Sequence, residues 1–355
     1  MKELRLMKGN EALAEAAIRA GADAYFGYPI TPQSEVIEYL MAARTEDRTG
    51  MIVLQAESEV AAINMVYGAA GCGKKAITSS SSPGISLKQE GISYMAGAEL
   101  PCVIVNVVRG GPGLGTIQPS QSDYFQSVKG GGHGDYKLIV LAPSSVQESV
   151  DFVKLGFDLA FQYRTPVMIQ SDGIIGQMME KVELFEQIPR SMHEYEWATT
   201  GKKEGDSPTF VTSLQLQAEE QEKVNLKLQA KYREIEKNEV RFETDQCEDA
   251  EFLLTAFGSC ARITRKAMEM ARNKGFKVGL LRPITLYPFP EKKLNDLASR
   301  VKGILCVEMN AGQMIEDVRL SVEGKTKVEH FGRFGGMIPN PDEILNALEQ
   351  KIIGG

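Results

Sequence analysis

Between residues 8 and 172 short apolar runs alternate with segments of helical period, and this alternation constrains the fold more than any other feature of the chain. The runs at 51–55, 75–79, 102–108, 138–142 and 167–171 read as buried strands, and 57–71, 85–96 and 144–161 as the helices between them. Strands separated by helices must run parallel, and their right-handed crossovers lay helices on both faces of the sheet. Ahead of them, an amphipathic helix at 10–20 and a short apolar run at 24–27 begin the series. Pro143-Ser-Ser followed by Val-Gln-Glu-Ser marks a strand exit into a helix cap. The expected fold class is α/β, with open parallel sheets.

A second unit of this kind begins at Ala250, with strands at 252–257, 277–281 and 301–308 and helices at 261–274 and 314–322. Between the units the character changes. Residues 180–205 mix charges with the only tryptophan, Trp197, and residues 213–242 read as a long, highly charged helix. Its apolar positions, Leu216, Val224, Leu226, Leu228, Tyr232 and Ile235, suit either a solvated linker or an arm packed on a partner subunit. The expected organisation is one α/β domain over 1–176, a charged linker with a long helix over 177–248, and a second domain over 249–355.

Composition removes several function classes. Lys plus Arg number 40 and Asp plus Glu 47, so the formal charge is 40 − 47 = −7, without a dominant basic block. That argues against nucleic acid as a partner. No apolar run approaches the roughly 20 residues that span a bilayer. The first residues, Met1-Lys-Glu-Leu-Arg5, lead into no secretory apolar segment, so a cytoplasmic location is expected. The five cysteines, Cys72, Cys102, Cys247, Cys260 and Cys306, form no C-x-x-C pair, which argues against an iron–sulfur cluster or a structural zinc in this chain. Cys102 and Cys306 lie in apolar runs and read as small core residues. The three histidines (His133, His193, His330) are too few and too scattered for a metal centre, and no metal ligand is assigned.

Gly27-Tyr-Pro-Ile-Thr-Pro32 follows the first short strand. Each proline fixes its own φ and pushes its predecessor into an extended conformation, so the Thr31 hydroxyl is held at a set place and angle. Alone, this is a rigid turn into a helix near Gln33. It is followed by Gln55-Ala-Glu-Ser-Glu59, then Ser82-Pro-Gly84, then Val107-Val-Arg-Gly-Gly-Pro-Gly-Leu-Gly115. In this order and spacing the motifs resemble those of the alpha subunit of the 2-oxoacid:ferredoxin oxidoreductases, thiamine-diphosphate enzymes that oxidise 2-oxo acids to acyl-CoA. The resemblance runs over 8–172 and resumes over 249–350. The Lys8-Gly-Asn-Glu-Ala opening and the overall length look most like the branched-chain (2-oxoisovalerate) branch.

The resemblance implies roles for particular residues. Glu59 matches the carboxylate that hydrogen-bonds the cofactor's aminopyrimidine ring, and its place at a helix N-terminus favours a charged form. Glu57 lies two residues away, roughly 200° around the helix, so only one of the two can face the cofactor. Small Ala61 and Ala62 beside Glu59 leave room for a ring. Pro29 and Ile30 would contact the same cofactor. Arg109, at the carboxyl end of a central strand, and Thr31 would hold the substrate's carboxylate and keto oxygen. The loop 110–115 lacks dinucleotide-fingerprint spacing and reads as backbone that must approach substrate or partner. Ser79-Ser-Ser-Ser-Pro-Gly84 reads as a simple turn, with an anion site at the helix end as the alternative. His133, among glycines, reads as a loop element.

The resemblance also implies what lies outside the chain. The Gly-Asp-Gly motif that marks a diphosphate and metal site is absent. The chain therefore looks like the pyrimidine-binding half of an interfacial site, its second unit similar to the C-terminal domain of transketolase-like enzymes. A beta subunit would bring the diphosphate and Mg2+ site and an iron–sulfur cluster, beside a ferredoxin-like cluster subunit and a gamma subunit, with coenzyme A as co-substrate and ferredoxin as acceptor. The expected assembly is a dimer of heteromers. The competing readings are a 2-oxoglutarate enzyme and a non-catalytic assembly subunit.

Overall fold

The computed structural model describes residues 3–191, 194–201, 205 and 207–354; His193 lies outside them. The first half runs β1 (Glu3–Lys8), α1 (Gly9–Arg19), β2 (Ala24–Gly27), α2 (Ser34–Ala42), α3 (Thr45–Thr49), β3 (Ile52–Gln55), α4 (Glu59–Gly71) and β4 (Ala76–Ser80). It continues with α5 (Ser82–Gly97), β5 (Cys102–Val108), β6 (Ile139–Leu141), α6 (Val146–Tyr163), β7 (Pro166–Asp172), α7 (Gly173–Gln177) and β8 (Met179–Leu184). After α8 (Ala218–Asn238) come β9 (Phe242–Asp245), β10 (Phe252–Thr255), α9 (Gly258–Asn273), β11 (Val278–Pro283) and β12 (Thr285–Tyr287). The chain closes with α10 (Glu291–Ala298), β13 (Gly303–Glu308), α11 (Met314–Val322), β14 (Lys327–Gly332) and α12 (Pro341–Leu348).

The strands form a seven-stranded sheet in the order β12-β6-β7-β5-β4-β2-β3 and a five-stranded sheet in the order β14-β13-β10-β11-β9. Within them all pairings are parallel except β12 on β6 and β9 on β11, so each sheet carries one antiparallel edge. The centre of the large sheet is β5 and β7, buried at every position. Cys-Val-Ile-Val-Asn-Val-Val in β5 is the apolar, β-branched run that a strand covered on both faces requires. Cys102 and Cys306 are buried, and burial pushes both thiols well up.

Three local expectations change in three dimensions. The run at 51–55 was expected to be a buried strand; β3 is the sheet edge, with Ile52 51% and Leu54 40% exposed. The first helix was expected to be amphipathic; α1 is buried on nearly every face, because α2, α6, α7 and β8 cover its outer side. The long charged helix is not a free linker. Leu228, Tyr232 and Ile235 of α8 are buried against this chain's own body, and Lys227 and Lys231 both engage Glu99. The stretch 177–248 also supplies β8, which pairs with β1, and β9, an edge of the second sheet.

The two sheets are locked together. β12 crosses from the second half to extend the first sheet. Ser259 donates to Asp172 at 2.5 Å, and Gln121 donates to the Phe257 carbonyl at 2.8 Å. Arg282, its side chain 2% exposed, pairs with Glu148 at 2.6 Å, and that carboxylate also accepts the Ser144 N–H at the start of α6. A buried pair of this kind sets register more than it adds stability, since desolvation offsets much of the attraction.

Candidate functional site

The turn that follows β2 is pinned by side chains from three directions. Asn10 donates to the Pro32 carbonyl at 2.7 Å and Gln177 to the same oxygen at 3.1 Å. Gln33, fully buried, donates to the Tyr28 carbonyl at 3.3 Å and accepts from Ser79 at 2.5 Å; Ser79 in turn bonds Tyr25 at 2.7 Å. Proline rigidity and these anchors leave Pro29 and Ile30 half-buried and Thr31 exposed on a fixed backbone. The Thr31–Pro32 peptide is cis.

Ser58 caps α4, its hydroxyl accepting the Ala61 N–H at 3.2 Å, and so places Glu59 as the first helical residue. Glu59 is 7% exposed, whereas Glu57 is exposed to solvent. Among the described residues no group donates a hydrogen bond to the Glu59 carboxylate, which is unusual for a buried one. Its carboxylate lies against Gly84: a Cβ there would sit 2.7 Å from Glu59 Oε1 and 2.1 Å from Ser80 Oγ. Gly84 is therefore required by close approach, in the first turn of α5.

Arg109 leaves the end of β5 and is 9% exposed. Its Nη1 donates to the Thr31 carbonyl at 2.9 Å and its Nη2 to the Leu114 carbonyl at 3.2 Å, while buried Nε has no partner. One guanidinium thus joins the proline turn to the glycine loop. The Arg109 N–H donates to Ser82 Oγ at 3.1 Å, so the first turn of α5 touches Arg109 through Ser82 and Glu59 through Gly84. The loop needs its glycines: Gly113 and Gly115 have positive φ, and a Cβ on Gly115 would lie 1.8 Å from the Gly110 carbonyl. Its tip, Leu114, is 85% exposed.

Arg109 opens on a cavity of about 510 Å³ that also takes in Ser82, Gly110, Asp123, Asn310 and Gln313. Burial pushes the Asp123 carboxyl up, against the Asn106 amide and Ser82 hydroxyl that hold it down. A larger cavity, about 720 Å³, lies between α8, α10 and α11 and contains none of Thr31, Glu59 or Arg109. The smaller cavity is the one that Arg109 lines, with its buried Nε unpartnered; Thr31 and Glu59 do not line it and connect to it through the Arg109–Thr31 bond and the first turn of α5. The Ser79–Gly84 segment is the turn from β4 into α5, and Ser79, Ser80 and Ser81 are all buried. His133 is exposed, its carbonyl accepting from Ser93 at 2.7 Å, as a loop residue would. Among the described residues no group of three or more His, Cys, Asp or Glu is disposed to hold a metal ion.

Sequence reasoning missed Gln33, read as a helix start, and Asn310 and Gln313, which fall between the strand expected at 301–308 and the helix expected at 314–322. Glu308, fully buried, accepts from Asn310 at 2.9 Å and from the Met314 N–H at 2.7 Å. Gln313 then holds the Ser122 carbonyl at 2.7 Å and the Phe125 N–H at 2.8 Å. The signal available was Asn-Ala-Gly-Gln directly after an apolar strand, the carboxyl-end position where open α/β sheets take ligands.

Two family models match the chain: pyruvate flavodoxin/ferredoxin oxidoreductase, thiamine diP-binding, over residues 15–244, and pyruvate:ferredoxin oxidoreductase core domain II over 250–344. Among curated proteins it is 49% identical to the ketoisovalerate oxidoreductase subunit VorB of Methanothermobacter thermautotrophicus, over 98% of this chain and 97% of that one. It is 36% identical to the 2-oxoglutarate synthase subunit KorA of Methanothermobacter marburgensis, over 98% and 99%. A solved 2-oxoglutarate:ferredoxin oxidoreductase from Magnetococcus marinus, with 2-oxoglutarate, coenzyme A and succinyl-CoA bound, superposes with a TM-score of 0.86 at 28% identity. That match covers 98% of this chain, which spans 65% of the Magnetococcus chain. A split-gene transketolase shares the fold at a TM-score of 0.60 and 12% identity.

Proposed function

The chain belongs to the pyruvate flavodoxin/ferredoxin oxidoreductase family, and from that premise we propose how it works: as the alpha subunit of a branched-chain 2-oxoacid:ferredoxin oxidoreductase. The reaction joins a 2-oxo acid and coenzyme A into acyl-CoA and CO₂, with the electrons passed to ferredoxin. The ketoisovalerate relative at 49% identity, against 36% for the 2-oxoglutarate subunit, supports the branched-chain substrate. The observation that carries the mechanism is the first turn of α5, which touches Arg109 with one residue and Glu59 with another.

Glu59 and the turn at Pro29 and Ile30 fit the aminopyrimidine half of thiamine diphosphate, because a buried carboxylate without a donor suits a ring that supplies one. Bound there, the cofactor supplies the nucleophile and electron sink for decarboxylation. Glu59 holds or releases a proton at its carboxylate. Arg109 orients the substrate carboxylate, and Thr31, on its fixed backbone, presents a hydroxyl to the keto oxygen. The diphosphate, Mg2+ and iron–sulfur clusters are assigned to partner subunits, of beta, gamma and ferredoxin-like type, in a dimer of heteromers. A cytoplasmic setting suits coenzyme A and ferredoxin; among the described residues no helix is long and apolar enough to cross a membrane.

Two experiments test this reading. The complex purified with its partner subunits is expected to reduce a dye in a coenzyme-A-dependent manner, faster with branched-chain 2-oxo acids than with 2-oxoglutarate. The reverse order would assign the chain to the 2-oxoglutarate enzymes. The chain by itself is expected to bind thiamine diphosphate weakly or not at all, since half the site lies elsewhere. Calorimetric titration with Mg2+ checks this, and micromolar binding would contradict it.

A further inference from the structure

Lys88 is fully buried in α5 and makes no ion pair among the described residues. Its ammonium donates to two neutral oxygens, the Thr78 hydroxyl at 3.2 Å and the backbone carbonyl of Glu59 at 3.4 Å. Isolated buried charges are costly, and a chain that needed only packing here would carry methionine or leucine. Of the elements packed against α5, α4 has one charged residue, Glu59, while β4 and β5 have none; β7 has Asp172, which is engaged by Ser259 and the first turn of α7. Burial pushes the Lys88 ammonium down to about 8, with the Glu59 charge opposing that shift. Among the described residues its hydrogen-bond partners are therefore Thr78 of β4 and the first residue of α4, Glu59 itself.

We infer that Lys88 is a positioning residue for the thiamine site: it fixes the Glu59 backbone and brings a positive charge to that helix start. The inference rests on the assignment of Glu59 above. A cation there stabilises the ionised carboxylate, so that a proton shared between Glu59 and a ring nitrogen rests on the ring. Binding of the aminopyrimidine then gains a charge-assisted hydrogen bond, which a neutral residue at position 88 would weaken.

The test compares Lys88→Met, Lys88→Arg and Glu59→Gln in the complex with its partner subunits. Lys88→Met is expected to weaken thiamine diphosphate binding roughly tenfold, the size of one charge-assisted contact. It should also move the acid limb of kcat/KM up by about one pH unit, the low end of what loss of a nearby opposite charge produces. Lys88→Arg, which keeps the charge, should restore part of both. In the full chain, Lys88→Met should keep or raise the melting temperature, since a desolvated charge has been removed. Wild type should gain stability as pH rises from about 8 towards the ordinary lysine value of 10.5, where only the unfolded chain still binds the proton; the methionine variant should not. A melting temperature that falls, with cofactor affinity and acid limb unchanged, makes Lys88 a structural residue and overturns the inference. Glu59→Gln separates the two claims: if it keeps turnover, the Glu59 assignment fails and this inference with it. If it is inactive while Lys88→Met behaves as wild type, only the Lys88 inference fails.

Discussion

Glu59→Gln in the assembled enzyme is expected to lower turnover by roughly 100-fold to 10,000-fold while the fold stays intact, the range that loss of a positioned acid–base group produces. The amide matches the carboxylate in size, so the close approach to Gly84 and Ser80 survives, and the Ser58 cap that places residue 59 is untouched. What is lost is a group able to exchange a proton at a buried position. Glu57→Gln, at the exposed neighbouring carboxylate, is expected to leave turnover near wild type, because that side chain faces water. Steady-state rates of the two variants, with circular dichroism as the check on folding, decide the matter. An inactive Glu57→Gln beside an active Glu59→Gln would reverse the assignment.

Arg109→Lys is expected to reduce kcat/KM tenfold to a hundredfold with every 2-oxo acid, corresponding to about 1.5–3 kcal/mol for one charge-assisted contact. The guanidinium spans two backbone carbonyls, those of Thr31 and Leu114, and its buried Nε has no partner. A lysine ammonium is a point charge that cannot bridge both carbonyls and also present a planar fork to a carboxylate. The loss should be uniform across substrates, since the group reads the shared 2-oxo-carboxylate end. Thr31→Val, which removes one exposed hydroxyl, should have a smaller effect and leave stability nearly unchanged. Loss confined to one class of side chain would instead place Arg109 in the specificity pocket, and would favour 2-oxoglutarate as substrate.

Much of this site could be read from residue order because its parts are short, stiff and local. Two prolines around Ile30-Thr31 restrict a backbone whatever surrounds it, and a serine before Glu59 caps a helix from one residue away. Alternating apolar runs gave the parallel sheet, because a period of two or of 3.6 is a property of the segment itself. Asn310, Gln313 and Lys88 were not legible in this way. Nothing in the sequence near Lys88 indicates that Glu59, 29 positions earlier, will lie above it. Likewise nothing near Asn310 shows that it will reach the Gln121 carbonyl, 189 positions away, at 2.9 Å.

The same division runs through the fold. By itself the sequence determined the α/β class and the strands at 102–108 and 167–171 to within a residue or so. Only the tertiary structure decided that β3 is an exposed edge, that α1 is covered on all sides, that α8 packs home on its own chain, and that β12 crosses over to the first sheet. The reason is physical: backbone stiffness and periodicity act over a few residues, whereas burial is settled by which distant surfaces meet, and no single segment carries that information.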